Sequence, residues 1–218
     1  MGFCALVGAH ADGWDAHGQG DIAVRGAGAQ VIADGKEIFH YLIPEPLLIK
    51  TVEGFYRHNF SGVLEGTDNI YLVPGEVELP DGWPVIKGIE EIGAHLKIEK
   101  FTIHTFDHAH IDRVVAEMPE LLEDYDLYPN NSGSFGEFVC KGIDKAFGIR
   151  TVAEYYHADI SETIAFGDSM NDASMIRAAG MGVVMGNAPK ELRDMADLVT
   201  GTLAEDGVAA ALERLGLI

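Results

Sequence analysis

Basic side chains are scarce in this chain of 218 residues, where 15 Lys and Arg stand against 35 Asp and Glu, a formal charge of -20. Binding along a nucleic-acid backbone needs clustered Lys and Arg, so that class of partner is disfavoured. A small phosphate ester is not, because a bound divalent cation reverses the local field. Cysteine is nearly missing as well: Cys4 and Cys140 are the 2 in the chain, each within an apolar run and without metal-ligand spacing. That excludes a disulfide framework and fits free buried thiols in a reducing compartment. No apolar run approaches the ~20 residues that cross a bilayer, and the first residues lack the basic start of a signal peptide. The expectation is a cytoplasmic protein with no membrane partner.

What is present falls into three parts. Residues 3–7 and 22–24 are short apolar runs separated by a stretch rich in Gly, Ala, His and Asp, which reads as strand, loop, strand. From Gln30 to about Phe138 the pattern is mixed. Val31-Ile32 and Ile38-Phe39 flank an Asp34-Gly35 hairpin signal. A helix fits from Pro46 through Leu47, Leu48, Val52 and Phe55, strands fit 61–64 and 101–106, and a second helix fits 109–122. From Lys141 onward helix and strand alternate as in a parallel sheet, with helices at 144–156, 172–179, 189–195 and 207–215 and strands at 163–166, 182–185 and 198–200. Ligands bind such sheets at the carboxyl ends of the strands, where Asp168, Asn187 and the loop after Thr200 fall.

The densest chemistry lies in Gly167-Asp168-Ser169-Met170-Asn171-Asp172. Two carboxylates and a carboxamide on a strand-to-helix turn make half of a magnesium-dependent phosphate site, since a hard cation prefers carboxylate oxygen. Taken alone, the same run is also an ordinary helix N-cap cluster, and Asn187 before Ala188-Pro189 is a good helix start. His104, His108 and His110 around Asp107 hint at a metal site but form no complete ligand set, and solvated histidines at a helix start account for them. Trp83 and Tyr71 would line a pocket or simply pack.

The run 164–172, followed by Met175 and Ala178-Ala179-Gly180, resembles the fourth motif of haloacid-dehalogenase-like (HAD) phosphatases of the Cof type. Val184-Met185-Gly186-Asn187-Ala188, then 196–200 and Glu205-Asp206-Gly207-Val208, are similar to that group's C-terminal signature. Residues 31–43 are similar to the hairpin that opens its cap, and 21–30 to the core strand before it. The resemblance implies an α/β fold: a HAD-like Rossmannoid parallel-sheet core over residues 1–29 and 139–218, with an inserted α+β cap over 30–138 that closes over the site. It implies a phosphoric monoester hydrolase acting on a small phosphorylated metabolite such as a sugar phosphate, with Mg2+ as cofactor. Asp168 would be the metal ligand. Asp172 would hold a metal-bound water or orient the neighbouring lysine, and Asn171 and Asn187 would offer amide donors to phosphoryl oxygens. Lys145 would offset phosphoryl charge. Lys141 is the alternative lysine, but Lys145 begins the amphipathic helix as the family's lysine does.

The resemblance fails near the start. HAD phosphatases carry Asp-x-Asp-Gly-Thr after the first strand, its first Asp attacking phosphorus, and no such run occurs here. In one alignment 3–7 is the second core strand and the chain starts after the missing motif. In the other, His10-Ala11-Asp12-Gly13-Trp14 is a degenerate copy. Only about eight residues separate Gly13 from the strand at Ile22, too few for the intervening elements, so truncation is expected, with no first strand and exposed apolar sheet edges that favour self-association. The alternative function is a non-catalytic homologue that keeps only a metal or phosphate site.

Overall fold

The computed structural model describes residues 23–104, 111–129 and 135–218. Cys4, the strand expected at 3–7, the segment from His10 to Trp14, and Asp107, His108 and His110 lie outside the described residues. Two compact units are present: Tyr41–Gly142, and Ile143–Ile218 together with the described residues through His40.

The chain enters through β1 (Ala23–Arg25), β2 (Gln30–Ala33) and β3 (Lys36–His40), an antiparallel sheet in that order. Asp34 and Gly35 turn β2 into β3 with φ of 51° and 70°, the left-handed geometry that an Asp-Gly pair supplies. The boundary between units therefore falls after His40, whereas the sequence pattern places 30–40 in the inserted module. The reason is packing: Phe39 lies 4.5 Å from Phe147, and the Tyr156 hydroxyl donates to Asp34 at 2.7 Å. The described residues 23–30 also depart from the core strand that the resemblance implies over 21–30. Ala27 and Gly28, with φ of 56° and 115°, reverse the chain so that β1 pairs with β2 rather than joining the parallel sheet. Gly28 cannot carry a side chain, because a Cβ there would sit 2.2 Å from the Asp144 carbonyl oxygen.

The Tyr41–Gly142 unit contains α1 (Glu45–His58), β4 (Ser61–Gly66), β5 (Ile70–Val73), β6 (Ile98–His104), α2 (Ile111–Glu117), α3 (Leu121–Asp124), β7 (Tyr125–Pro129) and β8 (Phe135–Cys140). Its five strands run antiparallel in the order β5-β4-β6-β8-β7. Pro46 sits in the first turn of α1, where its missing N–H costs nothing, and Asn59 ends the helix in the left-handed conformation. The helix expected over 109–122 stops at Glu117 because Pro119 disfavours helical geometry at the residue before it. Phe101, fully buried on the central strand, organises the core. Its ring lies 5.5 Å from Phe55, 4.9 Å from Tyr125 and 5.0 Å from Phe138. The Tyr125 hydroxyl is satisfied by Thr51 at 3.0 Å. Cys140 is a free buried thiol, and burial pushes its pKa up to about 11.

The last part runs through α4 (Lys145–Tyr155), β9 (Ile164–Gly167), α5 (Ala173–Ala178), β10 (Met181–Val184), α6 (Lys190–Arg193), β11 (Leu198–Val199) and α7 (Gly207–Arg214). The three strands are parallel in the order β11-β10-β9. Alternate residues serve opposite faces: Ala165 and Val184 pack with Ile149, Met175, Ile176 and Leu192, while Phe166 and Val183 pack with Ala211. Covering both faces explains why each strand reads as a short unbroken apolar run. No helix of the described residues is long and apolar enough to cross a membrane.

Because Phe101 touches three other rings, Phe101→Ala should destabilise the Tyr41–Gly142 unit by about 3–5 kcal/mol, read as a lower midpoint in urea unfolding.

Candidate functional site

The site is built at the carboxyl end of β9. Asp168, the first residue past the strand, is exposed. A single 3-10 turn, Met170–Asp172, then leads into α5. Asp172 is 1% exposed, and its carboxylate is used twice over. Oδ2 accepts the backbone N–H of Asp168 at 2.9 Å and of Ser169 at 3.0 Å, and Oδ1 accepts from the Lys145 ammonium. The Ser169 N–H bond is one half of a capping box, the Ser169 hydroxyl accepting from the Asp172 N–H being the other, and its Ser-x-x-Asp spacing is legible in the sequence. Gly167 is required by the same fold-back, since a Cβ there would lie 2.6 Å from the Asp172 Cβ.

Lys145 arrives from another element. Asp144 caps α4 by accepting the Phe147 N–H at 2.8 Å, which sets the helix start and puts Lys145 in its first turn. The Lys145 side chain is 11% exposed, and besides Asp172 its ammonium donates to Asn171 Oδ1 at 3.3 Å. A second donor reaches the same Oδ1, the Ser169 hydroxyl. Lys145, Asn171 and Asp172 are thus one hydrogen-bonded group. Lys141 is not part of it: it is exposed and lies in the Tyr41–Gly142 unit.

Asn187 lies in the turn after β10, at the same edge as Asp168, and is exposed. The turn that carries it is anchored by the Met185 N–H on the Gly167 carbonyl at 2.9 Å and the Gly186 N–H on the Gly201 carbonyl at 3.1 Å. The edge therefore gathers the exposed Asp168 carboxylate, an ion-paired lysine and two carboxamides. Both Asp172 oxygens accept from protein donors, whereas the Asp168 carboxylate is exposed and has no partner among the described residues. Magnesium retains several waters and takes one or two carboxylates together with phosphate oxygens, and this donor set fits that demand. Among the described residues no cluster of three or more His, Cys, Asp or Glu could hold a metal by itself.

The remaining expected residues lie elsewhere. His104 stands in β6, with Nε2 3.2 Å from the Thr102 hydroxyl and its ring stacked on Phe135 at 5.3 Å; desolvation lowers its pKa. Trp83, 41% exposed, lines a surface cavity of about 280 Å³ with Pro74, Val77, Leu79 and Val85, and Tyr71 is not among the cavity's residues. The sequence reading misses Ser169, which the capping-box spacing could have revealed.

Comparison with known proteins points to one family. Residues 15–212 match the family described as haloacid dehalogenase-like hydrolase. A 5-amino-6-(5-phospho-D-ribitylamino)uracil phosphatase from Bacillus subtilis is 40% identical over 98 residues, 44% of this chain and 39% of that protein. A phosphoglycolate phosphatase from Methanothermobacter thermautotrophicus is 29% identical over 196 residues, 88% of this chain and 87% of that protein. Among solved structures, a phosphatase of the haloalkanoate superfamily from Bacteroides thetaiotaomicron superposes with a TM-score of 0.74 at 28% identity, covering 88% of this chain and 72% of the other. The chain spans half or less of the length of several bacterial relatives, the Bacillus subtilis protein among them.

The two aspartates should separate cleanly in stability. Asp172→Ala strands a buried ammonium and two backbone donors, and should cost about 3–5 kcal/mol in chemical unfolding. Asp168→Ala, at an exposed position, should stay within about 0.5 kcal/mol of the parent.

Proposed function

Because the chain belongs to the haloacid dehalogenase-like hydrolase family, we propose that it is a magnesium-dependent phosphatase of small phosphorylated metabolites, with its phosphate site at the carboxyl edge of the parallel sheet. The observation that carries this reading is the shared use of Asp172, which immobilises Lys145 while the Asp168 carboxylate has no partner among the described residues. Asp168 holds the cation. Magnesium, when bound, supplies positive charge that offsets the phosphoryl oxygens.

Lys145 adds a second positive charge from the side of α4. Its ammonium is held in place before substrate arrives, and fixed charge of this kind stabilises a developing transition state at no reorganisation cost. Asp172 acts through Lys145 by fixing the direction of that charge. Asn171 and Asn187 donate to phosphoryl oxygens from two neighbouring strand ends and orient the ester. The relatives' named substrates, phosphoglycolate and a phosphorylated ribitylaminouracil, support a small phosphorylated metabolite as the substrate class here, with a sugar phosphate as one form of it.

A second reading is a phosphate-binding protein without turnover. The observation that favours it is the lack of any Asp-x-Asp-Gly-Thr run in the sequence, since without a nucleophilic carboxylate no phosphoryl-enzyme forms.

Hydrolysis of an aryl phosphate, followed with and without magnesium, tests the proposal. Turnover should require the cation, and Asp168→Ala should lower kcat/KM by about a hundredfold or more while the fold stays intact. Calorimetric binding of magnesium and inorganic phosphate with no turnover would establish the second reading instead.

A further inference from the structure

Asn171 carries an amide whose two ends are chemically opposite, one oxygen acceptor and one NH2 donor, and a phosphoryl group can use only the donor. Which end faces outward is set by the donors around it. Asn171 Oδ1 accepts from Lys145 Nζ at 3.3 Å and from the Ser169 hydroxyl. Ser169 has a single hydroxyl proton, and the alternative acceptor, Asp172 Oδ2, lies farther away at 3.3 Å. Asn171 Nδ2 has no acceptor among the described residues, and the residue is partly exposed.

On the site proposed above, we infer that Ser169 is a positioning residue: its hydroxyl holds the oxygen of the Asn171 amide inward, so that Nδ2–H points out as a ready donor for a phosphoryl oxygen. Two donors on one oxygen decide the orientation where one would leave it free. Lys145 alone is a poor substitute, because its ammonium is drawn toward the Asp172 carboxylate. The same geometry removes Asn171 Oδ1 from the set of metal ligands, since both donors already occupy it.

The Ser169 backbone N–H bonds Asp172 independently of the hydroxyl. Ser169→Ala removes the amide contact together with the hydroxyl's half of the capping box, Ser169→Thr keeps both, and the backbone bonds of the turn remain in each. The experiment uses the full chain labelled with 15N. The side-chain NH2 pair of Asn171 is assigned by its loss in Asn171→Ala, and inorganic phosphate is titrated in with magnesium present. In the wild type the Asn171 pair should shift in step with phosphate saturation. Ser169→Ala should move that pair in the ligand-free protein and weaken phosphate binding about three- to tenfold, the range expected for one hydrogen bond. Ser169→Thr should restore both.

Phosphate binding that leaves the wild-type Asn171 pair unmoved would overturn the inference, as would a Ser169→Ala variant with wild-type affinity. If calorimetry shows that phosphate does not bind at all, the proposed function fails separately. The orientation is then judged on the ligand-free spectra alone, where an unshifted Asn171 pair in Ser169→Ala sinks it and a shifted pair restored by Ser169→Thr upholds it.

Discussion

A buried carboxylate at the end of β9 holds the site together: Asp172 binds two backbone amides with one oxygen and the Lys145 ammonium with the other. The amide bonds curl the chain back on itself, which aims Asp168 outward and demands glycine at 167. The ion pair ties α4 to the turn. Desolvating a charge is costly unless it is paired and hydrogen-bonded, and here both carboxylate oxygens accept from the protein's own donors. One aspartate is thereby structural support, while its neighbour Asp168 is exposed.

The two units rest on different physics. In the C-terminal unit, helices cover both faces of three short parallel strands, and the apolar content of each strand is divided between them. In the Tyr41–Gly142 unit a five-stranded antiparallel sheet packs α1 against a cluster of rings centred on Phe101. The first arrangement places strand ends side by side, and loops at those ends converge whatever their sequence separation. Asp168 and Asn187 share an edge for that reason, and Lys145 joins them from a helix that precedes both.

Much of this is legible from residues alone. The helix over 144–156 and the three parallel strands follow from apolar periodicity, and Asp144 as N-cap from its position before the first turn. The Asp34-Gly35 hairpin follows from turn chemistry. Strands β7 and β8 are harder to read, because Tyr-Asp-Leu-Tyr-Pro and Phe-Gly-Glu-Phe-Val-Cys interrupt the alternation with proline and glycine, and their pairing is with each other and with β6. The placement of residues 30–40 is not legible either. A hairpin signal gives the turn, while the unit it joins is decided by Phe39 meeting Phe147 and Asp34 meeting Tyr156, contacts across more than a hundred residues of chain.

The sequence by itself determined the family, the run of carboxylates and carboxamide, and the strand-to-helix turn that carries it, because these depend on residue identity at short spacing. It left open which lysine reaches the turn, what Asp172 binds and which donors surround the Asn171 oxygen. Only the tertiary structure shows those contacts: Lys145 arrives from α4, some 26 residues before the turn, while the Ser169 hydroxyl and the two backbone donors are brought in by the turn's own fold-back. Lys141 and Lys145 are both basic residues near the start of one helix by sequence; the ammonium that pairs with the carboxylate is that of Lys145. Short-range chemistry is written in neighbours along the chain, and the direction of a charge or an amide is written in what the fold brings against it.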